Sequence, residues 1–274
     1  MSTTSVPHTG PRTRRRRDPL VPPQHGAWAF LGLPVALGTT AAAWSPVWPV
    51  VAAAWVAAYP LSWAVSGLIG GPRRERFARP AILWGSLFVP LALVSLWLRP
   101  WLWVAAVVFS VLFAVNLAFA RARRERALAN DLVLVAECSL AVPVVVGVAV
   151  SDSGSGSSAW PPWDAMLTGH VAVLVLVCAL TLVGSTLHVK SLIRKRSDAR
   201  YAVASQVFAL ACVPVVALAL AWWQRDLGFW LVVPFVVLSE RARLVPGRAW
   251  RPGRIGLVEL ACFVLVALAA AVAA

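Results

Sequence analysis

Nine apolar stretches follow one another along this chain, and short connections rich in arginine or tryptophan separate them. Roughly 20 apolar residues span a bilayer as a helix. The stretches run Ala27 to Ala43, Val47 to Gly70, Ala81 to Leu98, Trp101 to Ala120, Ala127 to Val150, Ala165 to Leu187, Ala202 to Trp222, Gly228 to Glu240 and Ile255 to Ala273. The eighth is the weakest, because its apolar part is short enough for a re-entrant or interfacial segment. With 60% hydrophobic and 13% charged residues, the chain cannot hide so much apolar surface inside a water-soluble domain. The sequence therefore predicts an all-α polytopic transmembrane helical bundle of about nine helices, with 22–274 forming a single membrane domain.

Charge gives the expected orientation. Basic residues collect in the segment before the first stretch (Arg12, Arg14, Arg15, Arg16, Arg17) and in alternate connections after it. The connections carry Arg73, Arg74, Arg76 and Arg79; Arg121, Arg123, Arg124 and Arg126; Lys190, Arg194, Lys195, Arg196 and Arg200; and Arg241, Arg243, Arg248, Arg251 and Arg254. Of the 25 Lys and Arg, Arg99 and Arg225 alone fall outside these groups. Cytoplasmic connections carry such an excess. The pattern thus predicts an inner-membrane protein with a cytoplasmic N-terminus and, for an odd number of spans, a C-terminus outside. It also requires the eighth stretch to cross, since the arginines after it would otherwise lie on the wrong face.

The net charge of +14 has this topological meaning first, so the expected partner is the lipid bilayer and not nucleic acid. Residues 1–21 read as a disordered basic cytoplasmic tail. Tryptophans mark the opposite face, because an indole ring prefers the membrane interface: Trp44, Trp48, Trp97, Trp101, Trp103, Trp160, Trp163, Trp222, Trp223 and Trp230 fall at outer ends. The one longer outer connection, SDSGSGSS from Ser151 to Ser158, has a flexible linker's composition. Cys138, Cys178, Cys212 and Cys262 lie within apolar stretches without CxxC spacing, which suits small core hydrophobes better than a metal or disulfide framework. Prolines within spans (Pro34, Pro90, Pro143, Pro214, Pro234) read as packing kinks.

Ionisable residues in membrane spans are costly and are functional candidates by default. Those with the strongest case all fall in the expected cytoplasmic halves. Gln24 and His25 open the first span, where they serve either as helix anchors or as one wall of a site. Asn130 and Asp131 follow the basic run RARRER, with Glu137 farther along the same helix. At about 100° per residue Asn130 and Glu137 share a face, and Asp131 lies well around from them. Glu137 lies about two turns in, so it is expected to face other helices.

Thr181, Ser185, His188, Ser191 and Lys195 form one polar stripe at the end of the sixth span, and Lys190 and Arg194 form a second, basic edge. Such an edge suits a phosphate or diphosphate headgroup, because charge-assisted hydrogen bonds to phosphate are strong where water is partly excluded. Ordinary basic anchoring with Ser/Thr helix packing explains the same residues equally well. Glu259 is expected to pair with Arg251 or Arg254, and His170 is read as structural. No Walker-type loop, GxGxxG, HExxH or GxSxG occurs, so cofactor chemistry has no support in the sequence and no metal site is expected.

PPQHGAWAFLGLP at Pro22 to Pro34, RERALANDL at Arg124 to Leu132 and HVKSLIRKRSDARY at His188 to Tyr201 resemble the YwiC-like family of bacterial integral membrane proteins. That resemblance implies a membrane bundle and no defined activity. The nine spans, the cytoplasmic N-terminus and the Gly26-Ala27-Trp28 opening more distantly resemble the UbiA-type membrane prenyltransferases. There, two aspartate-rich motifs on cytoplasmic loops hold magnesium and an isoprenoid diphosphate. The corresponding loops here carry only Glu75 and Asp198, and Leu134 and Cys138 stand where later aspartates of an NDxxDxxxD motif belong, so a magnesium site is not implied. The expected function is binding or modification of an anionic lipid-like or isoprenoid ligand at a cytoplasmic polar site. A small-solute transporter or permease, or a membrane scaffold, is the alternative.

Overall fold

The computed structural model describes residues 20–22, 25–71, 73–150, 159–223, 229–246 and 250–274. Gln24, most of the arginine-rich N-terminal segment and the SDSGSGSS connection lie outside them, as does the side chain of His25. Ten α-helices follow in order: α1 His25–Thr40, α2 Trp48–Gly70, α3 Glu75–Leu98, α4 Leu102–Arg121, α5 Leu128–Val150, α6 Trp163–Met166, α7 Gly169–Val189, α8 Ala199–Trp223, α9 Val232–Leu244 and α10 Pro252–Ala273. A π-turn, Lys190–Arg194, prolongs α7, and a 3₁₀ turn, Phe229–Leu231, precedes α9. No strand occurs among the described residues.

Among the described residues seven helices are long and apolar enough to span a membrane: α2, α3, α4, α5, α7 with its π-turn, α8 and α10. The chain is a multi-pass helical membrane protein. The other two expected spans are shorter. α1 stops at Thr40, where the hydroxyls of Thr39 and Thr40 bond back to the Ala36 and Leu37 carbonyls. α9 has 13 residues, about 20 Å of helix. It nevertheless continues past Glu240, which draws Arg241 into the bundle.

Helices α1, α5, α7, α8, α9 and α10 enclose the main core, built on Leu37, Val142, Val173, Val177, Leu182, Val216, Phe235 and Val266. α1 lies close against α5, since a Cβ on Gly38 would stand 2.7 Å from the Val145 side chain. The four cysteines are buried and unpaired. α2, α3 and α4 form a flank. Gly67 makes room there for Phe77, which stacks edge-on with Trp63, so α2 and α3 pack tightly. By contrast α3 and α4 expose apolar rows such as Ile82, Leu93, Val107 and Val111, as lipid-facing helices do.

The tryptophan face holds two departures from a simple interfacial belt. Trp101 is buried, packed against Gly147 and Met166, and Trp48 donates its indole N–H to the Val145 carbonyl at 3.2 Å. Arg99 is buried on the same face, donating from Nη1 to Leu98 O at 3.0 Å and from Nε to Val148 O at 3.4 Å. It satisfies carbonyls at the ends of α3 and α5, which explains an arginine on the arginine-poor face.

Candidate anion site at the basic face

The basic end of the bundle brings together the start of α5, the end of α7 and the start of α8. Asp131 lies in the first turns of α5 and forms an ion pair with Lys190, the first residue of the π-turn. Lys190 Nζ also donates to the Arg126 carbonyl at 3.0 Å. Its charge is therefore held between two acceptors on the α5 side. The π-turn closes with Lys195 N donating to Lys190 O at 2.8 Å, and such single wide turns recur at functional sites.

Beside this pair lies a cavity of about 480 Å³, lined by Arg126, Ala127, Leu128, Lys190, Arg194, Lys195 and Tyr201. Lys195 Nζ stands 5.7 Å from the centre of the Tyr201 ring, a cation–π contact that fixes the lysine at the cavity wall. Four cations thus face one space, and Asp131 neutralises one of them. Ala127 and Leu128 supply an apolar portion. The arrangement can hold a multiply charged anion attached to an apolar body.

The remaining sequence candidates separate into different places. Asn130 donates from Nδ2 to Glu125 O at 3.1 Å, outside the cavity wall. Glu137 turns towards α4, where Asn116 donates to its Oε1 at 2.9 Å. His188 and Ser185 are buried on the opposite side of α7. His188 Nδ1 lies 3.5 Å from Ser205 Oγ on α8, and its ring feels the Arg241 guanidinium on α9. Arg241 Nη1 pairs with Glu259 Oε1 at 2.6 Å, and Ser185 lies beside that carboxylate.

The expected site residues thus fall in three places: the cavity, the α4–α5 pair and a buried cluster of α7 to α10. Glu259 pairs with Arg241, not with Arg251 or Arg254, because α9 extends far enough to place Arg241 opposite it. Gln24 lies outside the described residues. The His25 backbone begins α1, which runs the same way as α5 and α10. Counting back equally from the Gly38–Val145 and Phe30–Phe263 contacts sets it level with Leu132 and Val258, at the basic end.

Sequence reasoning missed Tyr201 and Asn116 and read Arg126, Lys195 and Arg241 differently: Arg126 and Arg241 as topology markers, Lys195 as the end of the polar stripe. A usable signal existed for Arg241, since Ser239-Glu240-Arg241 directly prolongs an apolar stretch already too short to cross. Among the described residues no group of three or more His, Cys, Asp and Glu is placed to hold a metal ion.

Comparison with known proteins gives a family-level similarity. The model of the YwiC-like protein family matches residues 21–146, a segment that includes Asp131 and Glu137. The chain is 29% identical over 252 residues to the "Uncharacterized protein YwiC" of Bacillus subtilis (strain 168), covering 91% of this chain and 96% of that one. It is 26% identical over 247 residues to an "Uncharacterized protein" of Haemophilus influenzae (strain ATCC 51907 / DSM 11121 / KW20 / Rd), covering 88% and 93%. No solved structure gives a significant match. The two relatives align with about nine-tenths of this chain, and over residues 21–146 the chain is similar to the YwiC-like family.

Proposed function

We propose that this protein binds the phosphate-bearing headgroup of a lipid-like molecule, an isoprenoid phosphate among that class, at the cytoplasmic surface of the inner membrane. The observation that carries this reading is the cavity of about 480 Å³ with Arg126, Lys190, Arg194 and Lys195 on its walls. Its volume lies within the range of about 300–1,000 Å³ usual for small-ligand sites. Arginines offer planar pairs of donors to phosphate oxygens, and lysines add point charge. The Ala127 and Leu128 surfaces receive the start of an apolar chain, and the rest of that chain lies in the bilayer. The concentration of arginine at this end of the bundle supports the cytoplasmic orientation.

The test is a titration of the purified protein in lipid nanodiscs with a long-chain alkyl phosphate and, separately, with inorganic phosphate. The alkyl phosphate is expected to bind, and replacing Arg194 and Lys195 together by alanine weakens it by at least about tenfold, equivalent to roughly 1.4 kcal/mol. Binding of inorganic phosphate alone makes this a soluble-anion site. Undiminished alkyl phosphate binding by the double variant removes the cavity from the account.

A further inference from the structure

Glu137 and Asn116 form a polar pair far from the cavity. Glu137 sits about 14 Å along α5 from its basic end, and Asn116 lies about 8 Å from the Arg121 end of α4, so the pair lies in the basic half of an apolar layer about 30 Å thick. α4 around Asn116 is otherwise apolar and faces outward with Val111 and Val115 exposed. Asn116 Nδ2 donates to Glu137 Oε1 at 2.9 Å, yet Asn116 Oδ1 is buried without a donor. Among the described residues Glu137 has no ion pair. α4 presents the neutral Asn116 to it, and its ionisable neighbour on α5 is the buried thiol of Cys138, which in turn lies near Cys178 of α7.

A carboxylate satisfies this carboxamide only halfway, because it can accept from Nδ2 but has nothing to give Oδ1. A carboxylic acid satisfies both, since its O–H is a donor and its C=O an acceptor. The two planar groups then close a ring of two hydrogen bonds, Asn116 to Glu137 and Glu137 to Asn116. The absence of a cation and the depth in the apolar layer act in the same direction, since an unpaired charge there is costly.

We propose that Glu137 is a proton-binding site within the apolar layer of the membrane, protonated at neutral pH and held by Asn116. Removing the proton leaves a carboxylate facing a carbonyl oxygen in an apolar layer, so the proton leaves only when a cation or another donor takes its place. That is the property of a proton-coupled site, and it stands independently of anion binding at the basic face.

The test is infrared spectroscopy of the full-length protein in lipid at neutral pH, as a difference between wild type and Glu137→Gln. Glutamine keeps the shape and one donor, so the fold is retained. A protonated carboxyl C=O stretch present in wild type and missing from Glu137→Gln is the expected result. Asn116→Leu, which removes the ring, shifts that band to the position of a carboxyl group without a hydrogen-bond partner. A wild-type spectrum in which Glu137→Gln removes only carboxylate bands overturns the proposal.

Discussion

Asp131 shows how one acid sets the character of the basic cavity. It neutralises Lys190, so the net attraction for an anion comes from Arg126, Arg194 and Lys195. Asp131→Asn is therefore expected to tighten alkyl phosphate binding, the opposite of the Arg194 and Lys195 replacements. A weakening would show that Asp131 itself contacts the ligand, which the same titration reads directly. Arg241 and Glu259 make the other decisive pair. Removing one member of a fully buried pair strands a charge and typically costs about 3–5 kcal/mol, whereas an apolar replacement of both is often neutral. Arg241→Met and Glu259→Leu alone are expected to lower the denaturation midpoint sharply in detergent. The double replacement should recover most of it, and additive losses in this cycle would deny the coupling.

Among the elements, α9 explains why the eighth span was difficult to read. Its apolar part was visible in the sequence, but its length in the bundle depends on Glu259 lying opposite Arg241, a contact between positions 18 residues apart that no local pattern encodes. The spans from α2 to α5 were legible because each is a long apolar run bounded by arginine or tryptophan. The candidate residues were legible by type, since polar groups in apolar runs are conspicuous, but their grouping was not. Residues 188 and 190 look like neighbours in the sequence and face opposite sides of α7, towards α8–α10 and towards α5. Tyr201 joins the cavity only because the π-turn and the start of α8 fold it back over Lys195. The α1–α5 contact gives a further test: Gly38→Val drives a side chain into Val145 and the Val142 carbonyl. Overpacking of this kind costs about 1–3 kcal/mol, so a lowered melting temperature is expected. An unchanged one would mean that α1 is displaced easily.

At the scale of the whole molecule, a compact core of α1, α5 and α7–α10 carries a lipid-facing flank of α2–α4, and the polar groups divide by depth. The basic cavity lies at one end, the Glu137–Asn116 pair lies deeper in the same half, and Arg99 closes helix ends on the tryptophan face. In the proposed reading this layout separates anion recognition at the surface from proton binding within the layer. The central claim, a phosphate-lipid site at the basic end, is tested most directly by a photoactivatable alkyl phosphate carrying its reactive group next to the phosphate, crosslinked to the protein in nanodiscs and mapped by peptide mass spectrometry. Adducts are expected within 126–132 and 190–201, and they diminish when Arg194 and Lys195 are replaced by alanine. Adducts confined to the exposed faces of α3 and α4, or unaffected by that replacement, would contradict it.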